Sequence, residues 1–342
     1  MSRSLALLAA GAFALPIACA AAAPAKLPSW SVSAHFAVGG EGRWDLLAVD
    51  STRHHLFLSR SDHVDVVDTR TGKLAGRIDG TDGVHGIAVA PSLGRGYATN
   101  GKANSVTEFD LRTLKRIRDL PVGGQSPDAI EFDAASGRVF AFNAHSNNAS
   151  VLDPKTGKEL ALIAFEGNPE LGASDGKGHL FVNIEDKAQL VRIDTRAMRV
   201  EQTWALAGCE GPTGLALDAA HGRLFSACDN GHMVVSDAVD GHQVAVLDIG
   251  EGPDGAAFDA ASGNAFSPNG HSGTITVVHE DDPQHFRVVQ TIASAASART
   301  IALDPKTHRL YLPAARFGEK PADPKQRPPM IPGSFEVLVV AP

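Results

Sequence analysis

PDGAAFDAASGNAFSPNGHSGTITVVHED, residues Pro253 to Asp281, contains one complete turn of a unit that recurs along the chain. An extended run starts at Asp254 and closes in a turn anchored by Asp259. A second run ends at Asn269, a glycine-rich turn follows, and a third run occupies Thr274 to His279. The anchor position reappears at Asp50, Ala90, Asp133, Asp175, Asp218, Asp259 and Asp304, with spacings of 40, 43, 42, 43, 41 and 45 residues. Alternating Val, Leu and Phe with polar residues is the pattern of a half-buried strand. Turns such as Thr71-Gly72 and Asp229-Asn230-Gly231 punctuate these runs.

Each unit offers four strands. In the first these are Asp45–Val49, His55–Ser59, His63–Asp68 and Lys73–Ile78; in the second, Gly86–Ala90, Arg95–Thr99, Ser105–Asp110 and Lys115–Val122. Seven four-stranded units of about 40 residues predict an all-β, seven-bladed β-propeller whose ring leaves no long free edge. The last unit supplies three strands, Thr300–Leu303, Leu310–Pro313 and Phe335–Ala341, and then the chain ends. The missing outer strand is expected at residues 31–38 (SVSAHFAV), closing the ring against the last blade. Residues 316–332, rich in Pro and charge, interrupt the seventh blade between its second and third strands and read as an inserted surface loop.

The repeat outweighs the length prior of two domains for 342 residues. Aromatic residues make up only 6%, too few for a base-stacking platform. The 31 basic and 39 acidic residues give a net charge of −8, which argues against nucleic acid as a partner. Arg3, the apolar run Leu5–Ala18 and the small residues around Ala20-Ala21-Ala22 and Ala23-Pro24-Ala25 read as a signal peptide over residues 1–25, followed by a propeller over 26–342. The mature protein is then expected in the periplasm or secreted, with no transmembrane segment. A lipid anchor through Cys19 is the weaker alternative, because Pro16-Ile17-Ala18-Cys19 lacks the usual Leu three residues before the Cys.

Several segments carry a family likeness. Pro212-Thr213-Gly214-Leu215-Ala216-Leu217-Asp218 is followed by Gly222-Arg223-Leu224-Phe225, and Pro253-Asp254-Gly255-Ala256-Ala257-Phe258-Asp259 repeats the first strand one unit later. Arg299-Thr300-Ile301-Ala302-Leu303-Asp304-Pro305-Lys306-Thr307 opens the last unit. Over about residues 30–342 this pattern resembles the YVTN-type seven-bladed propeller repeats of exported bacterial proteins. Literal YVTN is absent; Tyr97-Ala98-Thr99-Asn100 and Phe140-Ala141-Phe142-Asn143 are its nearest equivalents. The resemblance implies the fold and export. Relatives of that fold include binding proteins, lactonases and haem-carrying nitrite-reductase domains, so it implies no single activity.

In such a ring the first strands line a central channel. Five residues before each anchor stand Asp45, His85, Asp128, Glu170, Thr213, Asp254 and Arg299, the expected channel-mouth ring and candidate ligand-binding site. Trp44, Pro127, Pro169, Pro212 and Pro253 stiffen the approach. Carboxylates crowded together repel unless a cation or proton joins them. Asp128, Glu170, Asp254 and His85 are therefore candidate ligands for a divalent cation, and Arg299 a candidate receptor for an anionic group. A solvated polar tunnel is the plainer reading of the same residues.

The leading expectation is a binding or scaffold protein that uses this face for a small ligand, an ion or a protein partner. The rival is a metal-assisted, lactonase-type hydrolase with Asp128 or Glu170 as base. Arg60, Asn100, Asn143, Cys228 and Asn269 end the second strands, with His145, His232 and His271 beside them, and read best as polar turn residues. Cys209 and Cys228 frame one blade on one face; an exported protein favours a disulfide over free thiols or metal ligands. Gly172-Ala173-Ser174-Asp175-Gly176 fits G-x-S-x-G but falls in a hairpin rather than a strand-to-helix elbow. His54-His55 reads as solvated, and the run His279-Glu280-Asp281-Asp282 reads as a turn.

Overall fold

Hydrogen bonding gathers the chain into seven four-stranded antiparallel sheets, each a blade. The computed structural model describes residues 28–321, 323 and 326–342; the expected signal segment 1–25 and Cys19 lie outside them. Blade one begins with Leu47–Asp50 and ends with Leu74–Asp79, and blade two runs from Ile87–Ala90 to Arg116–Pro121. Blades three, four and five open with Pro127–Asp133, Pro169–Ser174 and Pro212–Asp218. Blade six opens with Ala257–Asp259 and blade seven with Ala302–Asp304. In every blade the first strand lies at the edge of the sheet and pairs with the second.

Strand Ser31–Ala37 completes blade seven, pairing antiparallel with Glu336–Ala341 from Ser31↔Ala341 to Ala37↔Glu336. Just ahead of it, Trp30 is 1% exposed and packs edge-on to Phe266 of blade six, with ring centroids 4.6 Å apart. Its backbone exchanges two hydrogen bonds with Gln290, N to Oε1 at 3.0 Å and Nε2 to O at 2.7 Å. The closure is therefore bolted to two blades at once.

The recurring Asp has a local cause. Asp50 Oδ1 accepts from the backbone N of Thr52, Asp218 Oδ1 from that of Ala220, and Asp304 Oδ1 from that of Lys306. These are Asx turns that reverse the chain between first and second strands. Apolar layers then fill the space between blades. Phe57, Ile78, Ile87 and Phe109 share one layer between blades one and two. Phe225 of blade five stacks on Phe258 of blade six at 5.2 Å. The interior is thus a ring of inter-blade layers, each worth the burial of several large side chains at roughly 1.5–3 kcal/mol apiece.

The first strands crowd round the axis. A Cβ at Gly86 would meet Asp128 O at 2.4 Å, and one at Gly214 would meet Gly255 O at 2.3 Å, so only glycine permits these approaches. Hydroxyls stitch neighbours together: Thr99 Oγ1 donates to Asp128 O at 2.8 Å, Thr213 Oγ1 to Pro253 O at 2.9 Å and Thr300 Oγ1 to Asp45 O at 2.9 Å.

Two details depart from the sequence reading. First strands were expected to begin near the mouth residues, yet regular pairing starts later in four blades, at Leu47, Ile87, Ala257 and Ala302. In blades three to five the pairing shifts register just after Pro127, Pro169 and Pro212. Such irregularities re-aim side chains, here at the channel mouth. Second, residues 280–282 form no turn. They continue the third strand of blade six, Thr274–Asp282, because that strand pairs with a fourth of matching length, His285–Ala293.

Candidate functional site

The mouth residues form a chain of charge pairs running from blade six through blades seven, one and two to blade three. Arg299 donates from Nε to Asp254 Oδ2 and from Nη2 to Asp45 Oδ1 at 3.0 Å. Asp45 Oδ2 lies 2.6 Å from His85 Nδ1, which is 3.6 Å from Asp128 Oδ1. Asp45, His85 and Asp128 offer three ligand atoms within 4.8 Å of one another. Glu170 and Asp254 are not part of that trio: Asp254 is engaged by Arg299, and Glu170 Oε1 accepts from Asn168 Nδ2 at 3.2 Å. Thr213 is buried, with its hydroxyl committed to the Pro253 carbonyl.

Burial sets the protonation of this ring. The hydrogen bond that His85 donates to Asp45 raises the imidazole pKa, against the cost of burying its charge. Burial lifts Asp128 to about 6, with His85 pulling the other way. Glu170 is pushed to about 10 by burial and then by Asp128 and Asp254, so it holds its proton at neutral pH. Burial and Asp45 also push Asp254 upward, with the Arg299 guanidinium opposing. Burial works against the charge on Arg299, yet Asp254 and Asp45 hold it firmly protonated.

Beside this ring opens a cavity of about 570 Å³, lined by Arg43, Trp44, Gly270, His271, Ala296, Ser297, Arg299, Phe317, Arg327 and Pro328. That volume falls in the range of small-molecule sites. Phe317, Arg327 and Pro328 of the insertion build one wall. It folds back on itself through the bridge Phe317↔Met330, with Gly318 N donating to Pro329 O at 2.8 Å. Phe317 stacks on Trp44 at 5.9 Å, and Trp44 packs on Phe335 at 5.1 Å. The insertion is therefore more than the plain surface loop its composition suggested. Trp44 is buried, and its indole Nε1 has no hydrogen-bond partner among the described residues. Burial and then the neighbouring Arg327 and Arg299 disfavour the charge on Arg43.

Polar residues behind the mouth hold its loops. Arg60 donates to the carbonyls of Gly39 and Glu41 and lies 3.7 Å over the Phe335 ring, fixing the approach to Arg43. Asn100 Nδ2 donates to Ser105 Oγ and Thr107 Oγ1, and Asn143 Nδ2 donates to Ser150 Oγ. These second-strand ends brace hairpins, as turn residues should. His271 lines the cavity, whereas His232 lies 3.3 Å from Asp248. Cys209 and Cys228 form a disulfide with Cα atoms 5.5 Å apart. Arg43, Phe317 and Arg327 escaped the sequence reading. The repeat arithmetic singles out equivalent positions, and two of these residues belong to the one segment without equivalents.

No family model matches the chain, and no curated protein matches it. Among solved structures, the chain is similar to Kuenenia stuttgartiensis Hydrazine Synthase, at 15% identity and a TM-score of 0.68. The match covers 78% of this chain and 91% of that one. At that identity the likeness concerns the fold. No helix among the described residues is long and apolar enough to cross a membrane.

Proposed function

We propose that this is an exported binding propeller of the YVTN-repeat type whose channel-mouth cavity takes a small anionic molecule with a planar or apolar body. One observation carries the reading: three guanidinium groups, those of Arg43, Arg299 and Arg327, line the same cavity as the stacked rings of Trp44 and Phe317. Arg299 is already balanced by Asp254 and Asp45, but Arg43 and Arg327 crowd each other, and an anion between them relieves that repulsion. Guanidinium groups recognise carboxylate and phosphate by paired donors, while aromatic faces take an apolar body. The disulfide is in keeping with an oxidising compartment and hence with export.

The second reading places a divalent cation on Asp45, His85 and Asp128, from which a hydrolase would follow. The trio favours it, but Arg299 already supplies positive charge to Asp45 at 3.0 Å. The anion reading therefore leads.

The test is titration of the mature protein with benzoate, indole-3-acetate and inorganic phosphate, read by calorimetry and tryptophan fluorescence. Aromatic carboxylates are expected to bind more tightly than phosphate. Arg327→Ala and Arg43→Ala should each weaken binding about tenfold, the worth of one charge-assisted contact. Phe317→Ala should erase the preference for an aromatic body. Absence of binding, or binding indifferent to both arginine variants, overturns the reading. Calorimetric binding of Mn²⁺ that His85→Ala abolishes would favour the cation instead.

A further inference from the structure

On the face opposite the channel mouth, blade six overruns its neighbours. Its third and fourth strands are each 9 residues long. Pairing with the second strand stops at Asn264↔His279, so Glu280 lies just beyond it, held by its backbone N donating to Gly263 O at 2.8 Å. Arg223 of blade five donates from Nε to Pro283 O at 2.7 Å and docks the overrun beside the turn that follows Asp218. Glu280 is thereby pressed against Asp218 and His221.

Both carboxylates are buried, Asp218 at 3% and Glu280 at 8% exposed. His221 Nδ1 stands 2.7 Å from Asp218 Oδ2 and 2.7 Å from Glu280 Oε1, so one N–H would have to serve two anions. Among the described residues, neither oxygen of Glu280 receives a hydrogen bond from outside this trio. Anchors in other blades meet donors instead: Asp50 faces Arg53, Asp133 faces Ser174 and Asp304 faces Thr307. Asp218 faces a second carboxylate. Burial, then Asp218, pushes Glu280 upward, with His221 opposing.

We propose that Asp218, Glu280 and His221 form a binding site for a divalent transition metal of the Zn²⁺ or Mn²⁺ class, clasping blade five to blade six. One imidazole with two carboxylates suits such ions better than Ca²⁺ or Mg²⁺, which prefer all-oxygen sets. The bound imidazole contributes its Nδ1 lone pair, so no proton is shared between the anions. The His221 side chain is 52% exposed, which leaves the remaining coordination positions to water.

The test uses the mature protein stripped with EDTA and titrated with ZnCl₂ by calorimetry, in parallel with thermal unfolding. About one Zn²⁺ per chain, micromolar or tighter, with a rise in Tm, is the expected result. His221→Ala and Glu280→Gln should each weaken binding at least ~10-fold. Co²⁺ in the same site should give a visible absorption band that His221→Ala abolishes. His221 is exposed, so its variant should fold by circular dichroism and decides the matter even if Glu280→Gln does not. No Zn²⁺ binding by the wild type, or binding unchanged in His221→Ala, overturns the site.

Discussion

Glu170 carries a testable electrostatic liability. Its carboxyl is raised to about 10 by burial and by Asp128 and Asp254. An unfolded chain ionises the same group near 4.5. Between those values the folded state binds more protons than the unfolded state. The group's contribution to stability is therefore fully present below about pH 4 and is lost as pH rises toward 10. Glu170→Gln keeps the hydrogen-bonding shape and removes the titration. Its stability relative to wild type should grow steadily between pH 5 and pH 8, by up to about 4 kcal/mol. Calorimetric melts at both pH values check this; an advantage that shrinks with pH would contradict it. At this scale the sequence was half legible. Counting back from the repeat anchors found Asp45, His85, Asp128 and Arg299, because equivalent positions in a closed ring must converge. It did not reveal that Arg299 bridges Asp254 and Asp45, since side chains choose partners by distances that repeat spacing does not encode.

Among the elements, the long pairing of blade six and the insertion of blade seven depart from the common unit, and each creates a feature. The strand alternation was readable from period-two patterning, but the overrun past His279 was not. Glu280, Asp281 and Asp282 are residues that propensity assigns to turns, and tertiary pairing with His285–Ala293 overrides it. The insertion's proline content hid its packing, which rests on the contact of Phe317 with Trp44. The disulfide belongs to this scale too. It joins the segment before blade five's first strand to the end of its second, across a sequence separation of 19. Closing a loop of that size restrains the unfolded chain by roughly 3 kcal/mol. The double variant Cys209→Ala/Cys228→Ala should therefore lose about that much in denaturant unfolding, with the same fold by circular dichroism. An unchanged midpoint would show that the bridge adds nothing to stability.

For the whole molecule, seven regular anchors made the architecture the most legible feature, and the closing strand followed from counting strands in the last unit. What counting could not supply was Trp30, which ties the closure to blade six through Phe266 and Gln290. Trp30→Ala removes a fully buried ring and should cost about 3–5 kcal/mol. A variant lacking residues 28–37 should do more: it bares the edge of Glu336–Ala341 and is expected to associate in size-exclusion chromatography, the usual fate of an unpaired strand. A monomeric, fully cooperative truncation would show that the ring holds without its clasp.

The hydrogen bond from Ser33 Oγ to Val339 O spans 306 residues of chain. Contacts so distant in sequence are slow to form, because six intervening blades must be arranged before the two strands can meet. Blades one to six can each assemble from contiguous sequence as it becomes available. Blade seven must instead wait for Glu336–Ala341, although its outer strand, Ser31–Ala37, precedes the other six blades in sequence. Time of synthesis and place in the structure are thus inverted at one position: the earliest described strand is the last to find its neighbour. Refolding is accordingly expected to end in a late phase that acquires the Trp30 fluorescence change after most strand signal has appeared.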